Sequence, residues 1–387
     1  MFISKNNHVL HEQNTRLLAW PVLGRSCMPT ATMESSRARK GRRGAAPVSG
    51  GREIRIGYVR LIDAAPLIVA EEMGAFAAAG LPVRLTCELG WGSIRDKLAY
   101  GELDAAHAPG GLLFSLLIGT HAPPRSAWTD LVMNFQGNGV TLSRRLWEKG
   151  VRDQATFRMM VRSESPARPV LAAVSAYSSH PHLLREWLRQ ARVDPDREVR
   201  MAILPPALVE EHMREGQIDG FCVGEPWNSI AAFAGSGWVV STSCDLSPGH
   251  PEKVLVASDD LRNGLRDEYR ALLRVVSDAC AFCDKAANRK EVVDILARRK
   301  IFGVGEEVIA NSLIGPFRSG GEREPMTRSL MRFASKGHGA ATPQAATWFY
   351  DAMADVGVAP SDPAVRRRCI AAFGDVEPAS EKTRVFT

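Results

Sequence analysis

The stretch Asp219-Gly220-Phe221-Cys222-Val223-Gly224-Glu225-Pro226-Trp227-Asn228 decides how this chain is read. Gly220 to Val223 is a short apolar run of the kind that forms a buried strand. The run stops at Gly224, where a backbone amide is left bare. Glu225 and Pro226 then begin a new element, because proline is favoured in a first helical turn. A strand, a glycine and a helix start together aim unpaired N–H groups at one point, an arrangement suited to an anion. The same string also serves as a tight strand-to-helix turn with no ligand, so the flanking chain has to decide between them.

Upstream, Ile54 to Val59 alternates like a strand. Asp63 stands where an N-cap would precede a helix running from Pro66 to Phe76 and stopped by Gly80. Pro82 to Leu85 starts a second strand. Gly90-Trp91-Gly92 reads as a loop, with Ser93-Ile94-Arg95-Asp96 opening a helix by a capping box. Leu103 to Ala108 is a third strand, followed by an apolar helix from Pro109-Gly110-Gly111. After a strand at Leu131 to Asn134, the run Gln136 to Thr141 reads as a loop with exposed backbone.

A second unit follows: strands at Leu171–Val174, Met201–Leu204 and Gly220–Val223, with helices at Leu183–Ala191 and Pro206–Glu215 between them. Trp238–Ser241 and Lys253–Ala257 are crossing strands, and helical patterns dominate from Arg262 to about Gly374. The fold class is therefore α/β: two similar lobes joined by crossing strands, with a helical C-terminal region. The expected boundaries are 1–52 a disordered basic extension, 53–141 the first part of lobe 1, 142–240 lobe 2, and 241–387 the return to lobe 1 plus C-terminal helices. Ligands of such sheets bind beyond the carboxyl ends of the strands, where the glycine-flanked loops fall.

The length of 387 residues exceeds one ordinary core, which agrees with two lobes. The net charge of +6 would suggest a nucleic-acid partner if it were spread over the fold. Residues 1–52 carry +7 of it, so the remainder is close to neutral and direct nucleic-acid binding is not expected. That segment lacks apolar periodicity. Its best apolar run, Leu17 to Gly24, contains Pro21 and is too short for a secretion signal, and Met33 is an alternative start. No apolar stretch nears the ~20 residues that span a bilayer. Seven cysteines, an odd number, suit a reducing compartment and hence a cytoplasmic location. Cys280 and Cys283 have CxxC spacing but lie in a helical pattern without further ligands, so they read as packing rather than as a metal site.

Ile56-Gly57-Tyr58, Asp63 to Leu67, Trp91 to Lys97, Gly220 to Asn228 and His250-Pro251-Glu252-Lys253, in that order, resemble the nitrate-binding protein family. That family includes the substrate-binding components of nitrate and bicarbonate ABC transporters. It also includes cytoplasmic nitrate/nitrite sensors (NasS-like) that hold an RNA-binding antiterminator inactive. The likeness runs from about Ile54 through the helical tail and implies a two-lobed periplasmic-binding-protein-like fold (type II). It implies ligand contacts at Trp91, Asn138, His180, Gly224 and Lys253, with His182 replacing His180 if the register differs by two.

Nitrate has acceptors and no proton to give, so its site should offer donors: the Trp91 indole N–H, the Asn138 amide, His180, the Gly224 N–H and the Lys253 ammonium. Each of these has a bland reading as well: Trp91 a packed aromatic, Asn138 a turn residue, Lys253 a solvated strand end. Glu225 stands apart as a helix N-terminal carboxylate or a partner of Lys253. The resemblance puts a carboxylate at the Lys253 position in bicarbonate-binding relatives, so lysine there favours nitrate or nitrite. The expected function is a cytoplasmic nitrate/nitrite sensor acting on an antiterminator partner, with the substrate-binding component of a nitrate ABC transporter (periplasmic, meeting permease and ATPase) as the alternative. Related two-lobed folds include a pyrimidine-forming enzyme of thiamine synthesis. No nucleophile–base pair or metal constellation is evident, so the chain reads as a binding protein without cofactor, not an enzyme.

Overall fold

The computed structural model describes residues 52–163, 168–321, 330–334, 339–374, 376 and 386. The extension expected at 1–52 lies outside them except for its last residue. Twelve strands are found among the described residues: β1 Ile54–Val59, β2 Val83–Glu88, β3 Ala105–Pro109, β4 Ala127–Trp128, β5 Val132–Gln136, β6 Asn138–Ser143, β7 Val170–Ala173, β8 Arg200–Ile203, β9 Gly220–Gly224, β10 Gly237–Thr242, β11 Pro251–Ser258 and β12 Met331–Phe333.

They form two sheets. The first has the order β12-β5-β11-β3-β1-β2, with β4 on β11; the second runs β10-β6-β9-β7-β8. Within the first sheet β1 pairs parallel with both β2 and β3, as strand–helix–strand units require, while β11 lies antiparallel to β3 and β5. The second repeats the scheme, with β7 parallel to β8 and β9 and with β6 antiparallel to β9 and β10. This is the two-lobed α/β architecture expected.

The chain passes from one sheet to the other at Gln136-Gly137, ahead of the 141/142 boundary expected, and returns between β10 and β11. Gln136 and Gly137 both have positive φ, 62° and 96°, so the turn is confined to two residues. Gly137 suits that turn because a residue without Cβ enters the left-handed region freely. The segment from Asn138 onward is therefore strand β6, fully buried, not the open loop expected. Three further expectations are corrected. Trp91 is the first residue of the helix Trp91–Ala99, not a loop residue, and no side-chain cap opens that helix. Asp63 caps nothing: it lies inside a short 3-10 turn, Ile62–Ala64, ahead of the helix Ala65–Glu72. Pro226 precedes its helix, which begins at Trp227.

The C-terminal helices cover the first sheet. The helix Arg266–Asp284 buries Tyr269, Leu272, Leu273, Val276 and Cys280 on the face that also takes the helix Ala65–Glu72. Burial pushes the Cys280 thiol well up and the Cys283 thiol above its usual range, so both act as small apolar groups in the core.

Candidate ligand site between the two sheets

The stretch from Gly220 to Asn228 is tied down at every step. Asn228 donates to the Val223 carbonyl at 2.8 Å and accepts from the Thr141 hydroxyl, which pins the end of β9 against β6. The Glu225 carbonyl accepts from the Ile62 N–H at 2.8 Å, and the Trp227 indole N–H donates to the Arg60 carbonyl at 3.1 Å. The end of β9 in the second lobe therefore docks on the segment that follows β1 in the first. Gly224 lies opposite Asn138 in the β6–β9 ladder. A Cβ on Gly224 would meet Asn138 Oδ1 at 3.4 Å, Leu61 at 3.5 Å and Asp63 Oδ2 at 3.6 Å, so this glycine borders the polar centre of the molecule.

All five residues implied by the resemblance meet there. Lys253 and His180 are completely buried, Asn138 and Trp91 nearly so. Lys253 Nζ stands 5.6 Å from the centroid of the Trp91 ring. His180, in the first turn of the helix Ser179–Gln190, places Nε2 3.0 Å from Asn138 Oδ1. His182 points elsewhere and pairs with Asp355 at 2.8 Å, so the register with His180 is the one that reaches the centre.

The expectation of a donor-only cleft with Lys253 as its single fixed charge does not hold. Lys253 Nζ lies 2.8 Å from Asp63 Oδ2 and also pairs with Glu252 Oε1. Glu225 is not its partner. Glu225 instead accepts from the Ser229 N–H in the first turn of the following helix, the structural role expected of it. Glu252 takes two more donors on Oε2, the Asn138 amide at 2.8 Å and the Ser179 hydroxyl. His107 Nε2 lies 2.8 Å from Asp63 Oδ1 but off hydrogen-bond alignment.

Neighbouring strand residues normally face opposite sides. Glu252 and Lys253 both reach the centre because the β11–β5 register shifts on either side of Lys253, a bulge of the sort that re-aims side chains beside sites. Asn134 stabilises the bulge by accepting from the Lys253 N–H at 3.0 Å.

The electrostatics follow from this packing. Burial pushes the Asp63 and Glu252 carboxyls up, but Lys253 and the neighbouring histidines outweigh it, holding Asp63 well below the carboxylate range and Glu252 at about 2. Burial works against the Lys253 ammonium, and the two carboxylates more than restore it. His180 has no such rescue: burial pulls it down to about 4 despite Glu252. Glu225, without a cation beside it, is raised by burial to about 7. After internal pairing, Trp91 Nε1, His180 Nδ1, His250 Nε2, Asp63 Oδ1 and both ring nitrogens of His107 remain buried polar atoms with no hydrogen-bond partner. A cavity of about 240 Å³ opens next to Trp91, between Arg95 and Ser115 of the first lobe and Val174 to Tyr177 of the second.

Asp63 and Glu252 are the residues sequence reasoning missed. Both stood inside the quoted motifs, yet Asp63 looked like a cap and Glu252 lay just ahead of the strand expected from Lys253, with no role given to it.

Comparison with known proteins follows from this geometry. The model of the NMT1-like family matches residues 49–297. The chain belongs to that family. It is 36% identical over 258 residues to the bicarbonate transport ATP-binding protein CmpC of Synechococcus elongatus, covering 66% of this chain and 39% of that protein. The present sequence thus spans well under half the length of that relative, and it contains no Gly-Lys dipeptide, which a P-loop would require. The nitrate/nitrite binding protein NrtA of the same organism is 31% identical over 295 residues, covering 73% of this chain and 67% of NrtA. Among solved structures, the periplasmic nitrate-binding protein NrtA from Synechocystis PCC 6803 superposes with a TM-score of 0.77 at 26% identity, covering 82% and 84% of the two chains. The resemblance to the nitrate-binding protein family and the periplasmic-binding-protein fold are thereby established, and the relatives are binding and transport proteins.

Proposed function

We propose that the protein binds nitrate or nitrite between its two sheets and serves as the substrate-binding component of an ABC-type importer. The observation that carries this reading is the meeting of Trp91, Asn138, His180, Gly224 and Lys253 around one buried centre. Trp91 Nε1 offers a donor with no internal partner, Gly224 brings backbone close to the Asn138 amide, and the Lys253 ammonium, shared by Asp63 and Glu252, stands beside the Trp91 ring. The NrtA relatives support this choice of ligand. The Gln136-Gly137 turn and the segment between β10 and β11 are the two crossings about which the lobes would open and close.

Bicarbonate is the second reading, favoured by Glu252 in the site and by the CmpC relatives. Against it stands Lys253, at the position where the resemblance puts a carboxylate in bicarbonate-binding relatives, and Glu252 already holds three donors.

The sensor expected from the sequence, cytoplasmic and acting on an antiterminator, receives less support than the importer, because the relatives named above are import and binding proteins. Cell fractionation and affinity capture separate the two. The importer reading expects the protein outside the cytoplasm and an ABC permease or ATPase among its partners. A cytoplasmic protein that releases an RNA-binding partner on adding nitrate would overturn it. Equilibrium dialysis tests the ligand itself: nitrate or nitrite should be retained, and retention of neither removes the proposal.

A further inference from the structure

The order of hydrogen bonds around His180 limits what the site can hold. Glu252 Oε2 is a carboxylate oxygen and can only accept, so the Asn138 amide turns its NH2 toward it, at 2.8 Å. Asn138 Oδ1 is thereby left facing His180 Nε2 at 3.0 Å, and a carbonyl oxygen also only accepts. His180 Nε2 must therefore carry a proton. A neutral imidazole has one N–H, so Nδ1 is then a bare lone pair, and this atom is buried without a partner. Nitrate brings only lone pairs and cannot hydrogen-bond to it.

Resting on the function proposed above, we propose that His180 accepts a proton on Nδ1 when the site takes nitrate, whereas an oxyanion with its own hydroxyl proton, such as bicarbonate, donates that proton to the neutral ring and binds without uptake. Glu252, through Asn138, is the positioning residue that sets this polarity. The charged and titratable groups around His180 are Glu252, with Oε1 3.7 Å from Nε2, Lys253, Asp63 and His250. His250 donates Nδ1–H to the Pro251 carbonyl at 3.0 Å and lies stacked on Trp348, which leaves its own buried Nε2 bare, so H250N serves as the control that separates its proton from that of His180. Burial keeps the free protein's His180 neutral down to about pH 4, so near neutral pH the proton has to come from solvent at the moment of binding. An anion within contact distance raises the pKa of the imidazolium it faces by ~1–3 units.

Calorimetric titration of the full chain with sodium nitrate near pH 5, in two buffers of different ionisation enthalpy, reads the proton directly. Uptake of about half to nearly one proton per nitrate is expected, with Kd rising by up to about tenfold per pH unit above pH 4 and flattening once pH passes the raised pKa. H180N, whose amide donates without titrating, should bind nitrate with a Kd independent of pH. E252Q, which lets Asn138 turn over, should reduce the uptake. Nitrate binding with no proton uptake and a flat Kd overturns this inference and leaves the proposed function standing. No nitrate binding at any pH removes both.

Discussion

At the scale of single residues, the account separates atoms that hold the site together from atoms left for a ligand. Trp91 belongs to the second kind, since its indole N–H has no partner while its ring packs beside His107 and Lys253. Trp91→Phe removes the donor and keeps most of the ring. Loss of one hydrogen bond of ~1–1.5 kcal/mol predicts a nitrate Kd weaker by about five- to tenfold with unchanged thermal stability. Isothermal calorimetry beside a melting curve checks both parts. An unchanged Kd would put the Trp91 N–H outside the ligand shell.

Lys253 is of the other kind. It is shared by Asp63 and Glu252 within a centre closed to solvent, so Lys253→Glu places three carboxylates there with no ammonium. Breaking such a buried set is expected to cost ~3–5 kcal/mol of stability, visible as a lower midpoint in urea unfolding, and binding is lost with the fold. That substitution therefore tests the charge network more than it tests ligand choice.

At the scale of elements, the lobes touch through the start of the helix Gly110–Ile118. A Cβ at Gly111 would collide with the Tyr177 carbonyl, which belongs to the segment after β7 in the second lobe. In Gly111→Ala the added Cβ also presses on the buried Met353 at 3.0 Å, but that is a flexible side chain able to give by a few tenths of an ångström. The expected result is a protein that melts within a few degrees of the parent but binds nitrate at least tenfold more weakly, because the lobes cannot approach as closely. Small-angle scattering should show a larger radius than the parent in saturating nitrate.

This is also the scale at which the sequence was most and least readable. Period-two runs such as Ile54–Val59 and the strand–glycine string ending at Gly224 are local signals, and both formed where expected. Asn138 was misplaced into a loop because two glycines flank it. The turn is spent on Gln136 and Gly137, and β6 starts at once. Glu252 was overlooked because a bulge depends on the partner strand β5, about which the β11 residues themselves carry no signal. Asp63 was given a local duty because its real partner, Lys253, is far off in sequence. The candidate site was legible as a list of donors. The carboxylates that organise those donors were legible only as tertiary contacts.

At the scale of the whole molecule, pH and ligand should act on stability in opposite directions near neutrality. Glu225 is fully buried with Oε1 unpaired, and its pKa is raised to about 7 from the ordinary carboxyl value near 4.5. A raised carboxyl pKa in the fold means that the folded state holds the proton more tightly. Its contribution is complete below about pH 4.5 and is lost as pH rises through about 7, at a slope of at most ~1.4 kcal/mol per pH unit. Glu225→Gln should flatten that slope and raise the melting temperature at pH 8; a parallel pH profile in the variant would contradict the assignment. Nitrate bridging the two lobes acts the other way, adding ~2.7 kcal/mol at a hundredfold excess over Kd.

The central claim is that one buried centre between the sheets, lined by Trp91, Asn138, His180, Gly224 and Lys253, takes a planar oxyanion that has no proton of its own. Titration calorimetry of the purified chain with nitrate, nitrite and bicarbonate tests it most directly. The account predicts saturable, one-to-one binding of nitrate or nitrite. Preferential binding of bicarbonate, or no heat with any of the three, would contradict it.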